Sequence, residues 1–230
     1  MTAQRADTGP ITVLICDDQQ LVRAGFRLIL DLEDVVEVVG EAADGVECLR
    51  LTAELRPHVV LMDVRMPRLD GIEATRRLVA AGSSSRVLML TTFDLDELVY
   101  AAMAAGASGF LLKDVPREQL VAAIRMVARG ESILAPALTR RLIERFVAAP
   151  APASGTVPAS LAELSERELE VFGLLARGRS NAEIAQALFL GEATVKTHVA
   201  RILAKLDLRD RVQAVVLGYE CGYLRPGDRT

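Results

Sequence analysis

Residues 58–71 read HVVLMDVRMPRLDG, a short apolar run that stops at an aspartate. The run is continuous, without alternation of polar and apolar residues, which is typical of a strand buried on both faces of a parallel sheet. The segment after it contains Pro67 and Gly71, which favour a loop before a helix. The stretch therefore predicts a buried strand with one acidic side chain, Asp63, at its carboxyl end.

Four more apolar runs lie on either side of this strand, and each is followed by a segment of helical length. The predicted strands are 11–16, 35–39, 58–63, 86–90 and 108–112, and the predicted helices are 19–32, 44–55, 70–81, 95–105 and 116–130. Alternating strands and helices favour a parallel sheet with right-handed crossovers, covered on both faces. We therefore predict an α/β, flavodoxin-like (βα)5 unit with strand order 2-1-3-4-5.

Polar side chains with reactive or charged groups stand where the predicted strands end. In this strand order the first and third strands are neighbours at the crevice where open parallel sheets bind ligands. Three converging carboxylates repel one another unless a cation joins them, and Mg²⁺ takes oxygen ligands. The pattern predicts a Mg²⁺ site opposite a fixed lysine charge. Its members are Asp17 and Asp18 after the first strand, Asp63 after the third, Thr91 after the fourth and Lys113 after the fifth.

Each of these residues also has an ordinary structural interpretation. An isolated aspartate after a strand is usually a turn or capping residue, and an isolated lysine there is usually solvated. Five such residues at the ends of four of the five predicted strands are not explained in that way. Thr91 is the weakest member, because a shift of one residue in the fourth strand would put Thr92 in its place.

The chain changes composition at residues 148–160, which read AAPAPASGTVPAS and carry no charged side chain. Proline, glycine and serine in this proportion are typical of a linker. Residues 135–148, just before it, predict one further amphipathic helix. We therefore predict a first domain at 11–131, a linker helix and flexible linker at 132–160, and a second domain at 161–226.

The second domain is predicted to be all-α, with four helices. Ser165 with Glu168, and Ser180 with Glu183, match the capping box that starts a helix. A helix at 192–206 has apolar residues on one side and small or basic residues on the other. Such a side is often only solvated, but it also suits a helix that enters a DNA groove and reaches phosphates or base edges.

The motifs of the first domain resemble the receiver domain of response regulators over about residues 11–131. The resemblance lies in the pair Asp17-Asp18, in Asp63 within LMDVRMPRLDG, in Thr91 within LMLTT and in Lys113 within GFLLKD. It implies that Asp63 accepts a phosphoryl group from a sensor histidine kinase, with Lys113 and Thr91 neutralising the charge of that group.

The same resemblance implies a metal site and a switch. Asp18, the Asp63 carboxylate and the backbone carbonyl of Arg65 would hold Mg²⁺, with Asp17 acting through water. Thr91 would move towards the phosphoryl group while the aromatic ring of Phe110 rotates inward.

Residues 164–220 are similar, almost end to end, to the LuxR-type helix-turn-helix DNA-binding domain. Its pairing with a receiver is that of the NarL/FixJ family. The resemblance implies that helix 192–206 faces double-stranded DNA and that helix 209–221 forms a dimer interface. The expected DNA face consists of Lys196, Thr197, His198, Ala200, Arg201 and Lys205, and the expected dimer contacts are Val212, Val215, Val216 and Tyr219.

Other classes of function are disfavoured. A phosphohydrolase with an aspartyl nucleophile needs a second carboxylate two residues after Asp63, where Arg65 stands. An adaptor or constitutive DNA-binding protein with a degenerate receiver would lack at least one of the five site residues, and all five are present. Three scattered cysteines and two histidines are too few for a structural zinc site, and no apolar run reaches the roughly 18 residues of a membrane span.

The sequence therefore predicts a transcription regulator rather than an enzyme. We expect a cytoplasmic protein that a sensor histidine kinase phosphorylates, that then forms a homodimer, and that binds paired DNA half-sites without contacting a membrane.

Overall fold

The computed structural model describes residues 9–92, 96–130 and 161–224. The helix predicted at 135–148 and the linker predicted at 148–160 lie outside these residues. The chain divides into two compact units, with divisions between residues 93 and 94, 109 and 110, and 129 and 130.

Five strands form one sheet in the order β2-β1-β3-β4-β5, which confirms the predicted topology. They are β1 (Ile11–Cys16), β2 (Val36–Ala42), β3 (Val59–Asp63), β4 (Arg86–Thr91) and β5 (Gly109–Leu112). β1 pairs in parallel with both β2 and β3, and β3 pairs in parallel with β4. Every residue of β3 is buried, as the continuous apolar run predicts.

One strand is longer than its sequence pattern indicates. The apolar pattern of β2 ends at Val39, but its pairing with β1 continues through Glu41 to Ala42, opposite Cys16. The register shifts by one residue on the way, because Val13 pairs with Val38 and Leu14 with Gly40, which leaves Val39 of β2 as an extra residue. Backbone pairing, and not hydrophobicity, therefore sets the end of β2.

Two of the helices between the strands begin at an aspartate whose side chain caps them. Asp44 accepts hydrogen bonds from the backbone N–H groups of Val46 and Glu47, and Asp70 accepts one from that of Glu73. Such caps satisfy amide groups that the first helical turn leaves free. The helices are α1 (Gln20–Leu30), α2 (Gly45–Leu55), α3 (Gly71–Ala80), α4 (Asp96–Ala104) and α5 (Arg117–Ala128).

Four further helices surround a small apolar core. Both predicted capping boxes are formed, by Ser165 with Glu168 and by Ser180 with Glu183. Phe172, at the centre of this core, is fully buried. The helices are α6 (Glu166–Ala176), α7 (Asn181–Leu188), α8 (Glu192–Lys205) and α9 (Arg211–Glu220). Across all the described residues, every helix is too short or too polar to span a bilayer.

Candidate functional site

The carboxyl ends of β1, β3 and β5 bring three aspartates and one lysine together. Carboxylate oxygens of Asp17, Asp18 and Asp63 all lie within 4.8 Å of one another. Nζ of Lys113 is 2.6 Å from Oδ2 of Asp17 and 2.9 Å from Oδ1 of Asp63. Asp17, Asp63 and Lys113 are largely buried, whereas Asp18 is exposed. Asp18 is therefore the most exposed of these four residues.

The electrostatics of the cluster follow from burial and crowding. Burial raises the pKa of Asp63 above its usual value, Lys113 opposes that rise, and the neighbouring Asp17 adds to it. Burial by itself lowers the pKa of Lys113, but its hydrogen bonds to Asp17 and Asp63 outweigh burial, so its pKa is raised. The cluster thus has three carboxylates and one ammonium group, which contacts two of them. The hard oxygen atoms and the excess negative charge suit a small divalent cation such as Mg²⁺.

The loop after β1 is fixed by an arginine that sequence reasoning missed. One guanidinium nitrogen of Arg23 donates to the backbone carbonyl of Asp17 at 2.7 Å, and its Nε lies 3.3 Å from Glu41. Arg27 also binds Glu41, at 2.5 Å, and this hydrogen bond is the main cause of the lowered pKa of Glu41. No motif in the sequence links these residues, because Glu41 belongs to the neighbouring strand.

The loop after β3 is held by a close approach of α3. Gly71, the first residue of α3, donates its backbone N–H to the carbonyl of Val64 at 3.0 Å. A Cβ atom on Gly71 would collide with the backbone carbonyl of Asp63. The N–H of Val64 in turn donates to Oδ1 of Asp63 at 2.9 Å. Glycine is therefore required at position 71 for the backbone of Asp63 to keep this position.

The two residues expected to form the switch are both buried. The backbone carbonyl of Thr91 accepts a hydrogen bond from the N–H of Lys113 at 2.7 Å, which joins the ends of β4 and β5. The ring of Phe110 is fully buried in the core. The sequence interpretation has this ring rotate inward on phosphorylation, but in this conformation the ring is already inward. Arg65, whose carbonyl is a predicted metal ligand, is exposed.

The helix α8 presents the exposed face that the sequence predicts. Val195 and Ile202 point into the core. His198 is half-buried, and its Nδ1 is buried without a hydrogen-bond partner among the described residues. The predicted DNA-facing residues Lys196, Thr197, Ala200 and Arg201 are all exposed.

Lys205 is placed differently from the other predicted DNA contacts. Its Nζ lies 2.6 Å from Oε2 of Glu168 and donates to the carbonyl of Glu163 at 3.1 Å. The same Glu168 oxygen accepts the backbone N–H of Ser165 at 2.9 Å. Lys205, followed by the Ser165 bond, lowers the pKa of Glu168 to about 2. The ammonium group of Lys205 is thus paired within the helical unit, where it holds the C-terminal end of α8 to the start of α6.

The four predicted dimer residues of α9 are all buried in a single chain. Val215 and Tyr219 belong to the apolar core of the helical unit. Val212 and Val216 lie outside that core cluster but are only 1% and 5% exposed. That these four residues form dimer contacts therefore stays a prediction, because periodicity shows which residues are apolar but not what covers them.

We expect the pair of Lys205 and Glu168 to stabilise the helical unit in a pH-dependent way. Glu168 has a lower pKa folded than unfolded, so its contribution is present above about pH 4.5 and is lost as the pH falls towards 2. Replacing Lys205 with methionine should lower the free energy of unfolding near neutral pH by about 1 kcal/mol. The measurement is chemical denaturation of both proteins from pH 7 down to pH 2.5.

The matched control is Lys196→Met, which removes the same charge from an exposed position of α8 and should change stability little. The difference between wild type and Lys205→Met should shrink below pH 4. A difference that stays constant across this range would mean that the lysine stabilises through packing of its alkyl chain and not through Glu168.

Comparisons with known proteins agree with these two units. Residues 13–125 match the family described as response regulator receiver domain, and residues 162–217 match that described as bacterial regulatory proteins, luxR family. The chain is 43% identical to the uncharacterized transcriptional regulatory protein YxjL of Bacillus subtilis, over 94% of this chain and 98% of that protein. It is 40% identical to the transcriptional regulatory protein LiaR of the same organism, over 91% and 97%.

A solved structure gives the same result. The chain is similar to the response regulator ChrA, described as part of a heme-sensing two-component system, with 40% identity and a TM-score of 0.52. The similarity covers 92% of this chain and 98% of that one. Each of these three proteins is matched over almost its whole length, so each contains counterparts of both units of this chain.

Proposed function

The chain belongs to the NarL/FixJ family of two-component response regulators, and on that premise we propose that phosphorylation of Asp63 switches its DNA binding. The observation that carries the proposal is the site at the end of the sheet. There carboxylate oxygens of Asp17, Asp18 and Asp63 lie within 4.8 Å of one another. The ammonium group of Lys113 lies within hydrogen-bond distance of Asp17 and Asp63. The protein is a transcriptional regulator and not a typical enzyme.

In the proposed reaction, an Oδ atom of Asp63 attacks the phosphorus atom of a phosphohistidine on a sensor kinase. The O–P bond forms as the P–N bond breaks, and the imidazole remains on the kinase. Such a transfer depends mainly on in-line positioning and on neutralising the phosphoryl oxygens. The ammonium group of Lys113, 2.9 Å from Asp63, is placed to contact one of those oxygens. The hydroxyl of Thr91, at the end of the adjacent strand, is proposed to contact another.

The donor set of the cluster fits Mg²⁺. Asp18, the Asp63 carboxylate and the carbonyl of Arg65 would hold the ion, with Asp17 acting through water. When bound, Mg²⁺ supplies positive charge to the phosphoryl oxygens and offsets the repulsion among the aspartates. Arg23 supports this role, because its hydrogen bond to the Asp17 carbonyl fixes the loop that carries both acidic residues.

The proposed output is binding of α8 in the major groove of DNA. Lys196, Thr197 and Arg201 are exposed on one side of the helix, with the small Ala200 between them. Such a face permits close approach to base edges and phosphates. We leave Lys205 out of this face, because its ammonium group is paired with Glu168. His198 is assigned to the edge of the face, where it is half-buried.

We further propose that the active form is a homodimer on paired half-sites. The apolar residues of α9 are buried in the structure described, so pairing through α9 requires that phosphorylation first uncover Val212 and Val216. Shifting such an equilibrium from 1:99 to 99:1 takes about 5.5 kcal/mol. A phosphoryl group paired with Lys113 is a source for part of that free energy.

The surface for the kinase is assigned to α1. Leu21 and Leu28 are seven residues apart on one side of this helix and are 86% and 68% exposed, and Leu32, just after it, is 65% exposed. Exposed leucines in a row are characteristic of interaction surfaces. Because α1 begins two residues after Asp18, a partner seated on these leucines is close to the phosphorylation site.

We predict that Leu28→Asp lowers the rate of phosphoryl transfer from a kinase by about tenfold or more. In the complex with the kinase, the variant would place a charge where the wild type buries a leucine side chain. A panel of phosphorylated sensor kinases first identifies a donor for the wild type. Transfer from that donor is then compared with labelling by acetyl phosphate, which needs no docking and should not change. Leu55→Asp, on α2, serves as the control, and equal loss in both variants would exclude α1 as the specific surface.

The proposed function is tested by selecting bound sequences from a pool of random DNA duplexes, with and without acetyl phosphate and Mg²⁺. We expect selection of a sequence with two half-sites, bound more tightly after phosphorylation. Equal binding in both conditions would mean a constitutive DNA-binding protein. Failure to bind any duplex would overturn the assignment of α8.

A further inference from the structure

Phe189 is an unusual residue of the helical unit that the proposed function does not use. Its side chain is 97% exposed, the highest value among the large exposed hydrophobic residues. It also adopts the left-handed conformation, with φ 54° and ψ 46°, as the residue that ends α7. A large aromatic residue thus stands free in solvent on a backbone conformation that favours glycine.

Neither feature helps the unit to fold. In the left-handed region the Cβ atom of an L-residue crowds the following carbonyl, so glycine or asparagine is preferred at the end of a helix. A strained residue persists where the surrounding structure holds it, and such residues cluster at functional and binding sites. A side chain this exposed has almost no packing within the chain. An unfavourable backbone conformation and a ring that packs on almost nothing within the chain together point to a contact with another molecule.

The turn that carries Phe189 is firmly held. Its backbone N–H and that of Leu190 both donate to the carbonyl of Ala185. A guanidinium nitrogen of Arg167, on α6, donates to the carbonyl of Leu188 at 2.9 Å. The aromatic ring is therefore presented from a fixed backbone and not from a free loop, which lowers the entropic cost of a contact.

The position of the turn indicates the partner. Phe189 lies three residues before Glu192, the first residue of α8, so their Cα atoms are at most about 11 Å apart. The major groove of DNA is about 12 Å wide. A residue this close to the start of a helix in the groove reaches the backbone at the groove edge. Gly191, between them, is exposed and carries no side chain that could keep DNA away.

We propose that Phe189 is a further DNA-contacting residue, whose ring packs on the sugars of the DNA backbone beside the groove that holds α8. This inference rests on the proposed DNA binding by α8. The contact is apolar, so it adds affinity without neutralising a phosphate.

The test is Phe189→Gly in the full chain, with binding measured on the duplex selected by the wild type. We expect affinity to fall by about tenfold, which corresponds to loss of a buried aromatic contact. The dependence of affinity on salt should stay the same, because no charge is lost. The thermal midpoint should stay the same or rise, because glycine relieves the backbone strain. A clear fall in the midpoint would show that the ring stabilises the fold, and would overturn the inference.

Three matched variants separate the explanations. Phe189→Asn also tolerates the left-handed conformation and should lose affinity as glycine does, which excludes added flexibility as the cause. Asp207, at the other end of α8, is a second residue in the left-handed conformation, with φ 51°. Asp207→Gly relieves the backbone strain there and should not weaken DNA binding. Lys196→Met should weaken binding and reduce the slope of log affinity against log salt by about 1, unlike Phe189→Gly.

The outcomes distinguish this inference from the function on which it rests. If the wild type binds no duplex, the proposed function fails. If the wild type binds and Phe189→Gly binds equally well, only the Phe189 contact is wrong. Unchanged DNA affinity together with lost transcription in a reconstituted assay would assign the ring to a protein partner instead, and would equally overturn the DNA contact.

Discussion

Replacing Asp63 with asparagine should abolish covalent phosphorylation of the protein. The amide of asparagine is a far weaker nucleophile than a carboxylate and cannot form a stable acyl phosphate, so incorporation should fall to background. The measurement is intact mass spectrometry after incubation with acetyl phosphate and Mg²⁺. Tighter DNA binding on addition of the phosphodonor should disappear in the same variant.

The loss should not come from unfolding. Asp63→Asn removes one of three crowded carboxylates and leaves the contact of Lys113 with Asp17 at 2.6 Å, so we expect stability to stay the same or to rise. Asp34→Asn, an exposed aspartate remote from the cluster in sequence, should incorporate phosphate as the wild type does. Phosphate incorporation by Asp63→Asn at the wild-type level would place the acceptor on another residue.

Replacing Lys113 with methionine should have the second largest effect, because this residue serves both the reaction and the fold. Its ammonium group is the positive charge within 3 Å of Asp17 and Asp63, and its side chain is only 9% exposed. Loss of one well-placed charge of this kind slows a reaction by about 10² to 10³. We expect the rate of labelling by acetyl phosphate to fall by that factor at saturating Mg²⁺.

The same variant should be less stable, in contrast to Asp63→Asn. Removing the lysine leaves two buried carboxylates without their cation, which costs about 3 kcal/mol for pairs of this type. Chemical denaturation without Mg²⁺ measures this loss, and Mg²⁺ should restore part of it. Lys113→Arg keeps the charge and should retain more stability than the methionine variant. Labelling of Lys113→Met at the wild-type rate would show that the lysine is structural only.

Much of the site follows from the sequence because the topology of a parallel sheet is simple. Once β1, β3 and β5 are recognised as strands of one sheet, their carboxyl ends lie at one edge. Asp17, Asp63 and Lys113 must then be close, whatever the details of packing. The capping boxes at Ser165 and Ser180 were equally predictable, since each involves residues only three positions apart.

Other features depended on packing between distant segments. The family resemblance assigns the apolar residues of α9 to a dimer interface, and only the structure shows that Val215 and Tyr219 also belong to the core of the unit. Phe189 lies between two leucines, and only the structure shows that its side chain is exposed where the chain turns. In both cases the sequence shows that the side chain is apolar, whereas the path of the backbone decides which residues surround it.

By itself, therefore, the sequence determined the elements, their order in the sheet and the identity of the residues at the strand ends. These depend on hydrophobic periodicity and on side-chain chemistry within a few positions. Only the tertiary structure decided that Arg23 fixes the Asp17 loop, that Lys205 pairs with Glu168 from 37 residues away, and that Phe189 is exposed. The physical reason is that a contact between distant segments requires two backbones to approach in one geometry, and local sequence patterns do not encode that distance.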